Sequence, residues 1–252
     1  MSESAVTAPG AQAVGRPQPG APSPVLPRQF VSFSYYKLDP AFRRLPDVEK
    51  EAAREEFVAL MTTRRPGLIC LTYSTVGMKA DVDFLLWRIS LSADDFQSQS
   101  AAINKTKVGA YLTNPYSFLS MTKRSMYLDK VDPFHTAESR THIIPGKRKF
   151  LFVYPFVKTR DWYLLPVEER QAVMDGHIKV GNEFPSVKLN TTYSFGFDDQ
   201  DFVVAFETEE PKDFLDLVMK LRETQSSKYT ERDTPIFTCV QMGMDKVLDQ
   251  LF

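Results

Sequence analysis

His177 is the residue whose type and setting point most directly to chemistry. Between 165 and 184, Val173, Met174, His177, Ile178 and Gly181 fall at the three- and four-residue spacing of one buried helix face. An inward imidazole there can give its lone pair to a metal, and a haem iron is the sharpest form of that reading. Gly176 and Gly181 lie close to the histidine, although an interior glycine costs a helix about 0.5–1 kcal/mol relative to alanine. A backbone thinned around the ring leaves room for something broad and flat. A core histidine bonded to a carbonyl also fits, and the helix taken alone favours that simpler reading.

The elements that must position His177 come in a repeated order. Strand-like runs occur at 30–38, 68–75, 83–91 and 110–122, with helical runs at 46–63 and 93–104. The second half repeats this β-α-β-β-α-β order: strand 149–158, helix 166–184, strands 187–197 and 201–208, helix 212–222 and strand 235–242, with a closing helix at 244–252. The pattern predicts an α+β fold of two tandem ferredoxin-like (βαββαβ) subdomains, 29–127 and 149–252, forming a dimeric α/β-barrel-type fold. Each sheet has helices on one face only, so the twin subdomain covers the other. The stretch 128–148, with Pro133, Pro145, His135 and His142, is expected to be a linker, and the Pro/Ala/Gly-rich residues 1–28 a disordered tail.

Bulk composition narrows the function classes. In 252 residues, 31 basic side chains balance 32 acidic ones and no long basic run occurs, which argues against nucleic acid. Cys70 and Cys239 are the only cysteines and form no metal-thiolate spacing. No secretory h-region and no apolar run long enough for a bilayer is present. The expectation is a soluble, cytoplasmic protein without a membrane partner. There is no phosphate loop, zinc motif or nucleophile elbow.

The second half also carries an ordered set of residues: Tyr154-Pro-Phe-Val-Lys158, Trp162-Tyr163, Glu168-Glu-Arg170, Met174-Asp-Gly-His177 and Tyr193-Ser-Phe-Gly-Phe-Asp-Asp199. The set resembles the chlorite dismutase family, and the resemblance runs through nearly all of 29–252. It implies a duplicated ferredoxin-like fold, a homo-oligomeric ring of five subunits, and haem or coprohaem bound through one proximal histidine, here His177. Within that family, chlorite dismutases place a distal arginine thirteen residues after the ligand, where this chain has Asn190. An arginine introduced at Asn190 would then be expected to add chlorite activity. Coproheme decarboxylases instead need a tyrosine and a lysine near the propionates, and Tyr154 with Lys158 match those positions. The resemblance further assigns Arg140, Arg222 and Ser227 to propionate anchoring and Trp162 to the neighbourhood of the haem.

Read as residues, the same positions have ordinary alternatives. Tyr154 and Lys158 share one strand face, about 13 Å apart, with Phe150, Phe152 and Phe156. A lysine there usually snorkels to water and a tyrosine usually packs. Together with His177 they become one wall holding a redox-capable phenol, a cation for a carboxylate and an apolar bed for a ring. Arg140 and Arg222 commonly form surface pairs, and Arg222 also suits a helix C-terminus. Asn190, Thr192 and Ser194 form a polar strip of the kind that usually faces solvent. The resemblance also makes His135 a candidate distal base. The resemblance implies peroxide-dependent decarboxylation of iron coproporphyrin III to haem b, the last step of haem biosynthesis, with coprohaem and hydrogen peroxide as partners. The alternatives are a haem b peroxidase or weak chlorite-degrading enzyme, and a non-catalytic haem carrier or regulator.

Overall fold

The computed structural model describes residues 27–125, 127 and 142–252. Most of the expected tail, the first part of the linker, His135 and Arg140 lie outside these residues. The first half comprises β1 (Phe30–Leu38), α1 (Asp47–Thr62), β2 (Ile69–Ser74), β3 (Phe84–Ser90), α2 (Asp94–Asn104) and β4 (Leu112–Met121). The second comprises β5 (Phe150–Lys158), α3 (Arg160–Leu164), α4 (Val167–Asn182), β6 (Lys188–Tyr193), β7 (Phe202–Thr208), α5 (Pro211–Arg222), β8 (Thr230–Arg232), β9 (Phe237–Gln241) and α6 (Met244–Asp249). Three short 3-10 turns at Pro40–Arg44, Gly109–Tyr111 and Gln225–Tyr229 complete the elements of the described residues.

The strands run β7-β6-β4-β1-β3-β2-β9-β5-β8, and β7 also pairs with β5. That last pairing closes eight strands into one barrel inside a single chain, with β8 attached to β5. Alternation along the strands builds the interior: Val31, Phe33 and Tyr35 meet Leu85, Trp87, Leu151, Val153, Val203, Ala205, Phe237 and Cys239 there. The opposite face of each half carries the helices. Over the second half, Phe152, Tyr154 and Phe206 pack with Phe214 and Leu217 of α5.

The helices begin where the local chemistry favours it. α4 follows Pro166 and carries Glu168 and Glu169 in its first turn and Lys179 in its last, as the helix dipole prefers. α5 has Pro211 at its first position and Lys220 and Arg222 at its end. Among the described residues, no helix is long and apolar enough to cross a membrane.

Candidate functional site

The site is built on β5. Leu151 and Val153 enter the barrel, so Phe152 and Tyr154 take the outer face beneath the helices. β7 and β6 widen this wall: Val204 and Thr191 stand level with Tyr154, Phe206 and Leu189 with Phe152, and Phe202 and Tyr193 with Phe156. Tyr154 is buried and stacks on Phe206 at 5.9 Å. Burial raises its phenol pKa well above the ordinary value, with the Asp233 charge adding to the rise and Arg222 opposing it.

Lys158 ends the same strand, where β5 shifts register against β8. Its side chain does not snorkel. Only 6% of it is exposed, and its Nζ donates to the Ser226 carbonyl and to Ser226 Oγ, both at 2.8 Å. The ammonium lies 4.6 Å from the centre of the Trp162 ring. No carboxylate among the described residues pairs with it, and burial pulls its pKa down to about 8.

His177 projects from α4, which packs chiefly against α5 and the Gln225–Tyr229 turn. Its Nδ1 is buried with no hydrogen-bond partner. Burial, and then the charge of Lys158, pull its pKa down to about 4. The ring is therefore neutral at physiological pH and keeps a lone pair. A buried orphaned nitrogen, an unpaired buried cation and an aromatic bed fit a flat, anionic, metal-bearing molecule. Arg222 stands at the edge, 3.3 Å from Asp233 with its side chain 63% exposed. Ser227 Oγ donates to the carbonyls of Arg222 and Thr224. Trp162, on α3, is buried between Lys158 and Tyr229.

Two expectations change. Asn190 is on the other face of β6: its amide donates to Glu207 Oε1 at 2.9 Å, and Thr192 bonds Ser120 beside it. The polar strip faces the barrel interior because buried partners on β7 and β4 satisfy it, while Leu189 and Thr191 face outward. The α4 stripe is half-buried rather than core: Gln171 is the helix's one buried residue. A Cβ at Gly176 or Gly181 would meet nothing within 4 Å, and Gly176 lines a cavity together with Val173, Thr224 and Gln225.

The sequence reading missed Ser226, Asp233 and Asp201. Serine and aspartate in turns carry no periodic signal, and each acts across dozens of residues.

A family model described as chlorite dismutase matches residues 50–242. The chain belongs to the chlorite dismutase family. Coproheme decarboxylase of Mycolicibacterium smegmatis is 28% identical over 180 residues, covering 71% of this chain and 75% of that protein. Chlorite dismutase of Ideonella dechloratans is 29% identical over 209 residues, covering 82% and 73%. A solved structure of a chlorite dismutase variant from Candidatus Nitrospira defluvii matches with a TM-score of 0.80 at 23% identity, over 88% of this chain and 94% of that one. That likeness shows the shared fold. Both names belong to enzymes, and this chain is accordingly an enzyme of the family. The strand β6 reads Lys-Leu-Asn-Thr-Thr-Tyr and carries no arginine on either face.

Proposed function

We propose that this enzyme converts iron coproporphyrin III to haem b with hydrogen peroxide as oxidant. One observation carries the reading: Tyr154 and Lys158 are both buried on the outer face of β5, and the partnerless Nδ1 of His177 lies within reach of the Lys158 charge. The absence of arginine from β6 speaks against chlorite as the main substrate.

In this reading His177 binds the iron as a neutral imidazole. When bound, the iron porphyrin would supply the oxidising power, drawn from peroxide. Tyr154 gives up its phenolic hydrogen and becomes a phenoxyl. It regains a hydrogen from the β-carbon of the adjacent propionate, and that side chain loses carbon dioxide, gives up one further electron to the peroxide-derived oxidant and becomes a vinyl group. Each propionate consumes one peroxide and one proton and releases one carbon dioxide and two waters. Lys158 supplies the positive charge that the reacting carboxylate meets in a dry setting. Arg222, exposed enough to swing from Asp233, and Ser227 anchor propionates at the rim, as does Arg140 by resemblance. Trp162 keeps the Lys158 charge in place. The protein thus contributes position and electrostatics to chemistry that the porphyrin itself carries.

The test is to titrate purified apo-protein loaded with coprohaem with peroxide and follow the porphyrin by mass. Stepwise loss of two propionate carboxyls is expected. An unchanged porphyrin mass with rapid peroxide consumption would overturn the reading in favour of a haem peroxidase.

A further inference from the structure

Asp201 lies immediately before β7, at the end of the β6–β7 hairpin. Its Oδ2 accepts the backbone N–H of Lys158 at 2.9 Å and the hydroxyl of Tyr163 at 2.7 Å. Its own N–H donates to the Phe156 carbonyl at 3.2 Å, and its carbonyl accepts from Ser194 at 2.8 Å. The β5–β7 ladder ends at the pair Phe156 and Phe202. Beyond that pair β5 shifts register against β8 between Val157 and Lys158, and β7 offers the Lys158 N–H no ladder partner. The carboxylate oxygen satisfies that donor. Irregularities of this kind re-aim the side chain they carry, so whatever holds the backbone here also sets the direction of Lys158.

The second bond of the same oxygen gives it a wider role. Tyr163 follows Trp162 on α3, and the Trp162 ring packs against the Lys158 ammonium at 4.6 Å. One oxygen thus ties together the two chain segments whose side chains meet over the buried cation. Bonds to a carboxylate are charge-assisted and shorter and stronger than neutral ones.

We infer that Asp201 is a positioning residue, which through Tyr163 and the Lys158 N–H holds Lys158 and Trp162 against each other. This rests on the proposed reading of Lys158 as the cation of the site. Asp198 provides the control. It lies in the same hairpin, but its Oδ2 accepts from Leu119 of β4 and from Gln200, away from β5.

The experiment labels folded full-length apo-protein with acetic anhydride at pH 10.5, where the Lys158 amine is at least half neutral whether buried with a pKa of about 8 or freed to 10.5, and reads each lysine by peptide mass, with unfolding midpoints measured in parallel. Lys158 is the only buried lysine among the described residues, so it labels slowly in the unaltered chain. Asp201→Ala should raise its labelling about tenfold, the scale of one charge-assisted hydrogen bond. Asp201→Asn should restore part of the protection, and Asp198→Ala should leave it intact. Tyr163→Phe removes one of the two bonds, raises labelling less, and carries the test should Asp201→Ala not fold. Unchanged protection in Asp201→Ala, or equal labelling in Asp198→Ala, would overturn the inference. If Lys158 becomes exposed while coprohaem KM and kcat stay the same, the positioning stands and the catalytic reading of Lys158 fails.

Discussion

The ammonium of Lys158 acts on the imidazole of His177, adding its charge to the burial that pulls the ring's pKa down to about 4. It is turned toward Ser226, whose hydroxyl reaches Met174 on the histidine's own helix. The charges that act on Tyr154 are instead Asp233 and Arg222. The two β5 side chains therefore work in different electrostatic surroundings although they share a wall.

Lys158 should be a stability liability in the apo-protein. Its folded pKa is depressed to about 8 from an unfolded value near 10.5, so holding the charge costs on the order of 3 kcal/mol at neutral pH. Lys158→Met should therefore be more stable by about 1–3 kcal/mol at pH 7. Between pH 8 and 10.5 the unfolded chain binds the proton that the folded chain has released, so unaltered stability climbs and the gap closes. The same variant should bind coprohaem more weakly and with less salt dependence. Urea titrations at pH 7 and pH 10 decide the matter, and a less stable variant at pH 7 would contradict it.

His177→Ala should abolish the histidine-ligated haem spectrum. It deletes a buried nitrogen that has no partner in the apo-protein, so far-ultraviolet circular dichroism should be unchanged. An unaltered haem spectrum in this variant, with loss on replacing His142 or His135, would move the ligand elsewhere.

Gly176→Ala bears on the helix that presents this ligand. A Cβ there meets open space, so the substitution should stabilise the fold by about 0.4–1 kcal/mol through the unfolded chain. The haem spectrum should not change. Loss of haem binding would show instead that the glycine makes room for a ring.

The barrel was legible in the repeated β-α-β-β-α-β order of elements, whereas Leu151 and Val153 on one face of β5 and Phe152 and Tyr154 on the other are all apolar. The inward face of β6 was not legible. Asn190 and Thr192 point inward and Leu189 outward, so hydrophobic pattern alone picks the wrong side. What reverses it is Glu207 and Ser120, on strands far along the chain. α3 has five residues and β8 three, too short for periodicity to reveal. The setting of Lys158 depends on Ser226, 68 residues away, and no local spacing announces that contact.

The face of β6 also decides where an arginine could create chlorite activity. Asn190→Arg would force a guanidinium into the barrel beside Glu207, which is fully buried, and should cost about 2 kcal/mol or more. Thr191→Arg places the cation on the outer face, level with Tyr154. Oxygen release from chlorite should rise in Thr191→Arg and stay at the unaltered level in Asn190→Arg. An oxygen-electrode comparison showing the reverse would return Asn190 to the distal side.

Tyr154→Phe isolates the oxidation step. The ring keeps its stack on Phe206 and its place among Phe152, Phe214 and Leu217, so the fold and the apolar bed persist. Losing one hydroxyl should change coprohaem affinity by no more than about tenfold, the scale of one hydrogen bond. Decarboxylation should nonetheless stop, because phenylalanine has no O–H hydrogen to surrender and cannot form a phenoxyl. The variant should consume peroxide slowly and leave the porphyrin mass unchanged. Lys158→Met should differ, since it weakens binding and rate together through a salt-sensitive charge. Porphyrin mass after peroxide titration of each variant separates the two roles. Full conversion to haem b by Tyr154→Phe would remove the phenol from the reaction and leave a haem peroxidase as the better account of the site.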